Sequence, residues 1–165
     1  MRTKPNAVIF DMDGTLANVS SIRHHIVPPN PMPKGWFKNF HAFHSESVSA
    51  PANRSVVDHA IRASILGNAI LIVTARRAMY RHQTAWFLAM NGIPSDALYM
   101  RADNDGRPDY EVKKDILASI QTKYNVIHAV DDNPAVIKLW EENGISTTVI
   151  EGYGFRSEEH TSELQ

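Results

Sequence analysis

The chain is 165 residues long, with 17 Lys and Arg against 18 Asp and Glu, and it contains no cysteine. So even a balance gives no strongly polyanion-seeking surface, and the lack of thiols excludes both a disulfide framework and a thiolate metal site. With 43% hydrophobic and 21% charged residues the chain reads as one globular domain with a proper core. No apolar run approaches the ~20 residues of a membrane span and the N-terminus has no signal-peptide core, so a soluble, cytoplasmic protein without membrane contact is expected.

Ala7 to Phe10 is a short apolar run of β-formers, as expected of a strand buried on both faces. It runs into Asp11-Met12-Asp13-Gly14-Thr15-Leu16, where Gly14 permits a sharp exit. Residues 17–52 then form an irregular insertion, read as a small cap or lid. Its Pro-rich start, Val27 to Pro33, cannot be regular helix or central strand, and Trp36, Phe40 and Phe43 share one face of a short helix. His24, His25, His41 and His44 have no carboxylate partner in register. They are read as exposed or stacking imidazoles rather than metal ligands, with one of them a weaker candidate for meeting substrate.

From Asn53, a candidate N-cap, Val57, Ile61 and Ile65 repeat along a helix that Gly67 stops. Ala69 to Thr74 is a second apolar strand, ending in Thr74-Ala75-Arg76-Arg77. A helix through about residue 90 offers Trp86, Phe87 and Met90 to the core. Ala97 to Met100 is a third strand, and a polar loop follows over residues 101–108. Asp109 can cap a helix carrying Val112, Ile116 and Ile120. Val126 to Val130 is a fourth strand leading into Asp131-Asp132-Asn133-Pro134, with Pro134 suited to a first helical turn. A helix with Val136, Ile137 and Trp140 precedes a fifth strand, Thr147 to Ile150.

Such alternation implies an α/β fold: a doubly wound, parallel, Rossmann-like sheet of five core strands. In these sheets ligands sit at the carboxyl ends of the strands, which brings Asp11, Asp13, Thr74, Arg76, Asp131 and Asp132 to one rim. Four carboxylates converging there call for a cation, and oxygen-only ligation points to Mg²⁺ shared with a substrate phosphate. One carboxylate can then attack phosphorus while another moves protons. Thr74 offers its hydroxyl and nearby backbone N–H groups to phosphate oxygens, Arg76 a forked cation, and a lysine on the helix after the third strand a further charge. On this reading the carboxyl groups of Asp11 and Asp132 lie within about 8 Å of each other, close enough to share one ion.

The ordered set Asp11-x-Asp13-Gly14-Thr15, Thr74, Lys113 and Asp131-Asp132 resembles the four motifs of the haloacid dehalogenase (HAD) superfamily of phosphohydrolases, over nearly all of residues 7–152. The resemblance implies that Asp11 is the nucleophile and Asp13 the acid and base. It implies that Thr74 and Lys113 hold phosphoryl oxygens, and that Asp11, Asp13 (through its main-chain carbonyl), Asp131 and Asp132 form the Mg²⁺ site. Within residues 71–134, Ile72-Val73-Thr74-Ala75-Arg76, the stretch from Met100-Arg101 to Lys113, and Asp131-Asp132-Asn133 resemble the 3′-phosphatase domain of bacteriophage polynucleotide kinase–phosphatase and its stand-alone phage relatives. That narrower resemblance adds Ala75, Arg76 and Arg107 at the substrate phosphate. It implies a phosphorylated nucleotide or a 3′-phosphorylated nucleic-acid end as substrate, a nucleic-acid repair role and a phage-like origin. Thr74-Ala75 departs from the usual Ser-Gly, and no Gly-x-x-x-x-Gly-Lys-[Ser/Thr] kinase loop is present. Lys113 is the better motif lysine than Lys114, which lies about 100° further round a helix. Arg76, Arg77, Arg81, Arg101 and Arg107 concentrate positive charge near the rim. A small-metabolite or mononucleotide phosphatase is the alternative enzyme, and a non-catalytic module for phosphorylated ends the alternative outside catalysis.

Residues 156–165 (RSEEHTSELQ) match the translation of a sequencing-library adapter and are expected to be read-through beyond a phosphatase domain of residues 1–155. On that expectation the true C-terminus is unknown and leaves room for a further C-terminal domain.

Overall fold

A computed structural model describes residues 2–151; the adapter-like stretch lies outside the described residues. Five parallel strands, β1 (Asn6–Phe10), β2 (Ala69–Arg77), β3 (Ala97–Arg101), β4 (Asn125–Asp131) and β5 (Ser146–Val149), stand in the order β3-β2-β1-β4-β5. The helices are α1 (Phe40–Glu46), α2 (Arg54–Ile65), α3 (Arg81–Met90), α4 (Asp109–Gln121) and α5 (Pro134–Glu142). The chain builds outward from β1 through β2 to β3, then returns to lay β4 and β5 on the other side. The order of the strands therefore reverses beside β1, and a crevice opens at the carboxyl ends of β1 and β4.

Why the strands read as unbroken apolar runs is visible in β1. Val8 and Phe10 enter one core cluster with Val56, Val57 and Ala60 of α2 and Phe87 of α3. Ala7 and Ile9 enter the other, with Leu117 and Ile120 of α4 and Val136 and Trp140 of α5. In β2, Ile70 and Ile72 face the first cluster and Leu71 and Val73 the second. The period-two alternation is intact, but both faces are covered, so both sets of side chains are apolar.

The insertion is tied at its stem. Asn18 N–H donates to the Pro51 carbonyl at 2.8 Å, and Asn53 N–H to that of Leu16 at 2.8 Å. Within it, a 3₁₀ turn at Arg23–His25 and helix α1 pack Ile22, Ile26 and Phe43 into the first core cluster. The cap is thus an outgrowth of the main core.

Several local expectations need correction. Trp36 precedes α1, whose N-cap is Asn39, so only Phe40 and Phe43 of the proposed face are helical. Ile65 is 78% exposed, because a strict four-residue repeat drifts by ~40° per step from the buried stripe of Val56, Val57, Ala60 and Ala63. In α3 the inward residues are Thr84, Phe87 and Leu88, leaving Trp86 and Met90 in solvent. Asn53 occupies the N-cap position of α2, but its side chain accepts from the Ser55 hydroxyl rather than from a helical N–H. Asp109 is the first residue of α4, not its cap, and its carboxylate is taken by Arg101. Strand β2 does not stop at Thr74. It continues to Arg77 through a register shift after Val73, so Thr74 does not open a helix.

Candidate active site

Asp11 emerges one residue past β1, with its N–H still donating to the Val130 carbonyl of β4 at 3.0 Å. The chain then turns tightly: the Thr15 and Ala17 N–H groups both return to the Met12 carbonyl, and Gly14 N–H donates to Ala17. Gly14 has φ +80°, and a Cβ there would stand 2.3 Å from Asp132 Oδ2. Glycine is required twice at this position, once by the turn and once by the approach of the β4 carboxylate.

Around Asp11 the buried charges interlock. Lys113, from the second turn of α4, donates to Asp11 Oδ1 at 2.9 Å and to Asp131 Oδ2 at 2.8 Å. The Thr15 hydroxyl donates to Asp11 Oδ2 at 3.1 Å. Asp131 Oδ1 accepts the N–H groups of Asp132 and Asn133, at 2.9 and 3.0 Å, which fixes the loop that opens α5. Lys114, one position on, is exposed, as the helical rotation requires. Carboxylate oxygens of Asp11, Asp131 and Asp132 all lie within 4.8 Å of one another, inside the separation expected from the sequence.

Asp13 is held apart from that cluster. The Arg76 Nε donates to Asp13 Oδ2 at 2.9 Å and its Nη2 to Oδ1, while Nη1 donates to the Thr84 hydroxyl at 3.1 Å. Arg76 is only 2% exposed, so this forked pair is sheltered from water. The Thr74 hydroxyl accepts the Arg76 N–H at 3.1 Å and so stabilises the bulge that aims the guanidinium inward. Arg101, at the end of β3, is buried too. It donates to the Ala75 carbonyl at 2.8 Å and to Asp109 at 2.6 Å, stapling the loop before α4. The sequence reading missed this structural role; an arginine at a strand end with an aspartate eight residues on was the available signal.

Asp11, Asp13, Thr74, Ala75, Arg76, Lys113, Asp131 and Asp132 all line one cleft. Arg107 is not brought there. It is largely exposed and bound to Asp105 and Asp115 at 2.8 and 2.7 Å, and its hydrogen bonds hold the Asp105 carboxyl down at about 2. Opposite the acidic rim the cap contributes Ile26, Phe40, Phe43 and His44. The absence of carboxylate partners for the cap histidines does not hold throughout: His25 Nε2 lies 2.8 Å from Glu46.

The rim carries more negative than positive charge. Asp11, Asp13, Asp109, Asp131 and Asp132 face Lys113, Arg76 and Arg101, an excess of two charges that suits one divalent cation. Burial pushes Asp11 up to about 6, with the Asp131 charge adding to the rise and Lys113 opposing it. Burial alone would lower Lys113, but the charges of Asp11 and Asp131 outweigh it and hold the ammonium above its ordinary value. Burial also depresses His44 to about 4, despite the nearby Asp13 charge. The donors are hard oxygens without sulfur or imidazole, a set that fits Mg²⁺ rather than a softer metal.

A parallel doubly wound sheet bearing these four segments at its switch point defines a HAD-type phosphatase. Within that class, the chain belongs to the family of the polynucleotide kinase PNKP phosphatase domain, whose model matches residues 36–154. It is 28% identical over 146 residues to a protein of Autographa californica nuclear polyhedrosis virus described as a bifunctional polynucleotide kinase/RNA ligase, covering 87% of this chain and 19% of that one. A chain in the structure of the Pnkp1/Rnl/Hen1 RNA repair complex superposes with a TM-score of 0.72 at 29% identity, over 92% of this chain and 44% of that chain. The class C acid phosphatase of Bacillus anthracis shares the fold, with a TM-score of 0.66 at 13% identity over 99% of this chain and 81% of that one. The chain thus spans less than half the length of the viral protein and of the RNA repair complex chain it resembles.

Proposed function

We propose that this chain is a Mg²⁺-dependent phosphomonoesterase that works through an aspartyl-phosphate and acts on 3′-phosphorylated nucleic-acid ends or nucleotides. The observation that carries the chemistry is the sheltered bridge from Lys113 to Asp11 and Asp131, with the Asp132 carboxylate beside it. An unpaired set of buried carboxylates would be costly, so the arrangement supports a site kept for an anionic reaction partner and a cation. Asp11, Asp132 and the main-chain carbonyl of Asp13 would hold Mg²⁺ with Asp131 adjacent; when bound, the ion supplies charge neutralisation at the phosphoryl oxygens.

In this reading an Asp11 carboxylate oxygen attacks phosphorus, and the bond to the leaving oxygen breaks. Asp13 in its protonated form, which the second half of the cycle regenerates, gives that oxygen its proton. Asp13 then takes a proton from water, whose oxygen attacks the phosphorus of the aspartyl-phosphate, releasing inorganic phosphate and restoring Asp11. Lys113 keeps Asp11 oriented and, with Thr74, is available to phosphoryl oxygens. Arg76 fixes the Asp13 carboxyl and, lining the same cleft, presents positive charge to the phosphate, with Ala75 providing the neighbouring backbone. The substrate class rests on the family and on the repair proteins named above. Arg107 has no supporting contact in the cleft, and its assignment to substrate binding rests on resemblance alone.

Asp11→Asn, assayed on a generic phosphate ester with and without a chelator, tests the chemistry. Loss of turnover in both the variant and the chelated wild type is expected; an Asp11→Asn enzyme as fast as wild type contradicts it. If nucleoside monophosphates or sugar phosphates are turned over as well as 3′-phosphorylated oligonucleotides, the small-metabolite reading replaces the nucleic-acid one.

A further inference from the structure

The arginines concentrated near the rim are already engaged by the protein. Arg101 is closed on Asp109 and Ala75, and Arg107 on Asp105 and Asp115. Arg77 donates to the carbonyls of Asp103 and Asp105, and Arg81 to that of Leu98 at 3.0 Å. Their donors are directed at backbone carbonyls and carboxylates of the protein itself, so these four arginines form no open track for a polymer.

The cap has the opposite character. Between residues 17 and 52 the only acidic residue is Glu46, and it is paired with His25; the basic residues are Arg23, Lys34 and Lys38. Aromatic and cationic residues alternate along the chain from Lys34 to His44, whose last members line the cleft. His44 lines the cleft and lies near-parallel to Phe40, with ring centroids 6.3 Å apart and planes 21° apart. The Lys38 ammonium stands 6.0 Å from the Phe40 ring centroid, and next to it in the chain Phe37 is 76% exposed. Lys34 is exposed on the same segment, and the Trp36 N–H returns to the Pro33 carbonyl, so the segment is turned back on itself. A large aromatic left in water beside lysines is the composition of a single-strand binding track: bases stack on rings and phosphates meet ammonium groups.

The geometry points to the cap segment Lys34, Phe37, Lys38, Phe40 and His44 as the path of a single-stranded polynucleotide whose 3′-phosphate lies in the cleft. The inference rests on the proposed phosphatase reading and adds to it the surface that separates a polymer end from a mononucleotide. His44 and Phe40 lie against the terminal nucleoside; Phe37 and the two lysines take the nucleotides that precede it.

The test compares KM and kcat for a single-stranded oligonucleotide ending in a 3′-phosphate with those for a nucleoside 3′-monophosphate, over a range of salt. In the intact chain the oligonucleotide KM is the lower and rises more steeply with salt. A Lys34→Glu/Lys38→Glu variant raises the oligonucleotide KM by at least ~10-fold, flattens its log–log salt slope by about one per lysine, and changes kcat and the mononucleotide KM by a smaller factor. Phe37→Ala raises the oligonucleotide KM by ~5- to 100-fold, and Phe37→Trp restores it. These positions are exposed or part-exposed, so a folding defect is not expected, and the Trp variant controls for one. Equal changes on both substrates, or an unchanged oligonucleotide KM and salt slope, overturn the surface while leaving the phosphatase reading intact. A wild-type enzyme that hydrolyses a generic ester but neither nucleotide substrate overturns the surface and the nucleic-acid substrate class, and one that hydrolyses none of the three overturns the phosphatase reading itself.

Discussion

The carboxyl rim of the sheet and the cap facing it across the cleft differ in almost every physical respect. The rim is acidic, buried and internally bonded: Lys113 closes on Asp11 and Asp131, Arg76 on Asp13, and Arg101 on Asp109. The cap is basic, rich in imidazole and phenyl rings, and exposes Phe37 and Lys34. Asp11, Asp13, Asp109 and Asp131 are each held by a cation from a different segment of the chain. Reaction chemistry of one kind needs its groups held in this way. The cap is built from short helical turns tied to the core by Ile26 and Phe43. On the proposed reading, the rim acts on the phosphate and the cap selects which phosphate is presented.

That separation can be broken most sharply on the rim. Asp13→Asn removes the proposed proton donor and base while leaving the carbonyl oxygen available to Arg76. It is expected to lower kcat by ~10²- to 10⁴-fold with little change in KM, read by steady-state kinetics. A retained kcat would take Asp13 out of the chemistry.

Stability offers the next largest effect. Lys113→Ala leaves Asp11 and Asp131 buried without their shared cation and is expected to cost about 3–5 kcal/mol in denaturant unfolding. The loss shrinks as pH falls into the range where Asp11 takes a proton, about 6 in the intact site. The sign follows from linkage: a folded-state carboxyl raised above its unfolded value stabilises at low pH, and that contribution is lost as pH rises. A deficit that instead grew on acidification would show that Lys113 does not compensate these carboxylates.

The smallest effect sharpens the cap. With its folded value near 4 against an ordinary 6.5, His44 stays neutral at neutral pH. Its imidazole resonances in an NMR titration should keep neutral-ring shifts down to about pH 4. Between these values the unfolded chain binds the proton first, so the His44 share of stability falls as pH drops through that window. A midpoint near 6.5 would mean that the ring is hydrated and not packed against Phe40 and Tyr80.

Most of the frame was legible because burial on both faces of a parallel sheet leaves a simple mark: unbroken apolar runs at β1 and β2, each followed by polar residues that only a rim can use. The choice of Lys113 over Lys114 was readable because the helix period fixes which neighbour points inward, whereas the placing of Asp13 depends on a turn past the end of β1. What could not be read were partners supplied by the fold. Arg76 and Arg107 look alike in a sequence, but one is buried against Asp13 and the other tethered in solvent to Asp105 and Asp115. The bulge that carries β2 past Thr74 depends on pairing with β3, and no local signal announces it. Trp86 and Phe87 differ in fate by one helical step, which apolarity alone does not resolve.

The central claim is that Asp11 carries the phosphoryl group during turnover. Acid quenching of the enzyme with a substrate bearing radiolabelled phosphate, followed by peptide mapping, tests it directly. The account predicts acid-stable, hydroxylamine-labile label on the peptide containing Asp11, absent from Asp11→Asn. Label on another residue, or catalysis by Asp11→Asn at the wild-type rate, would contradict it.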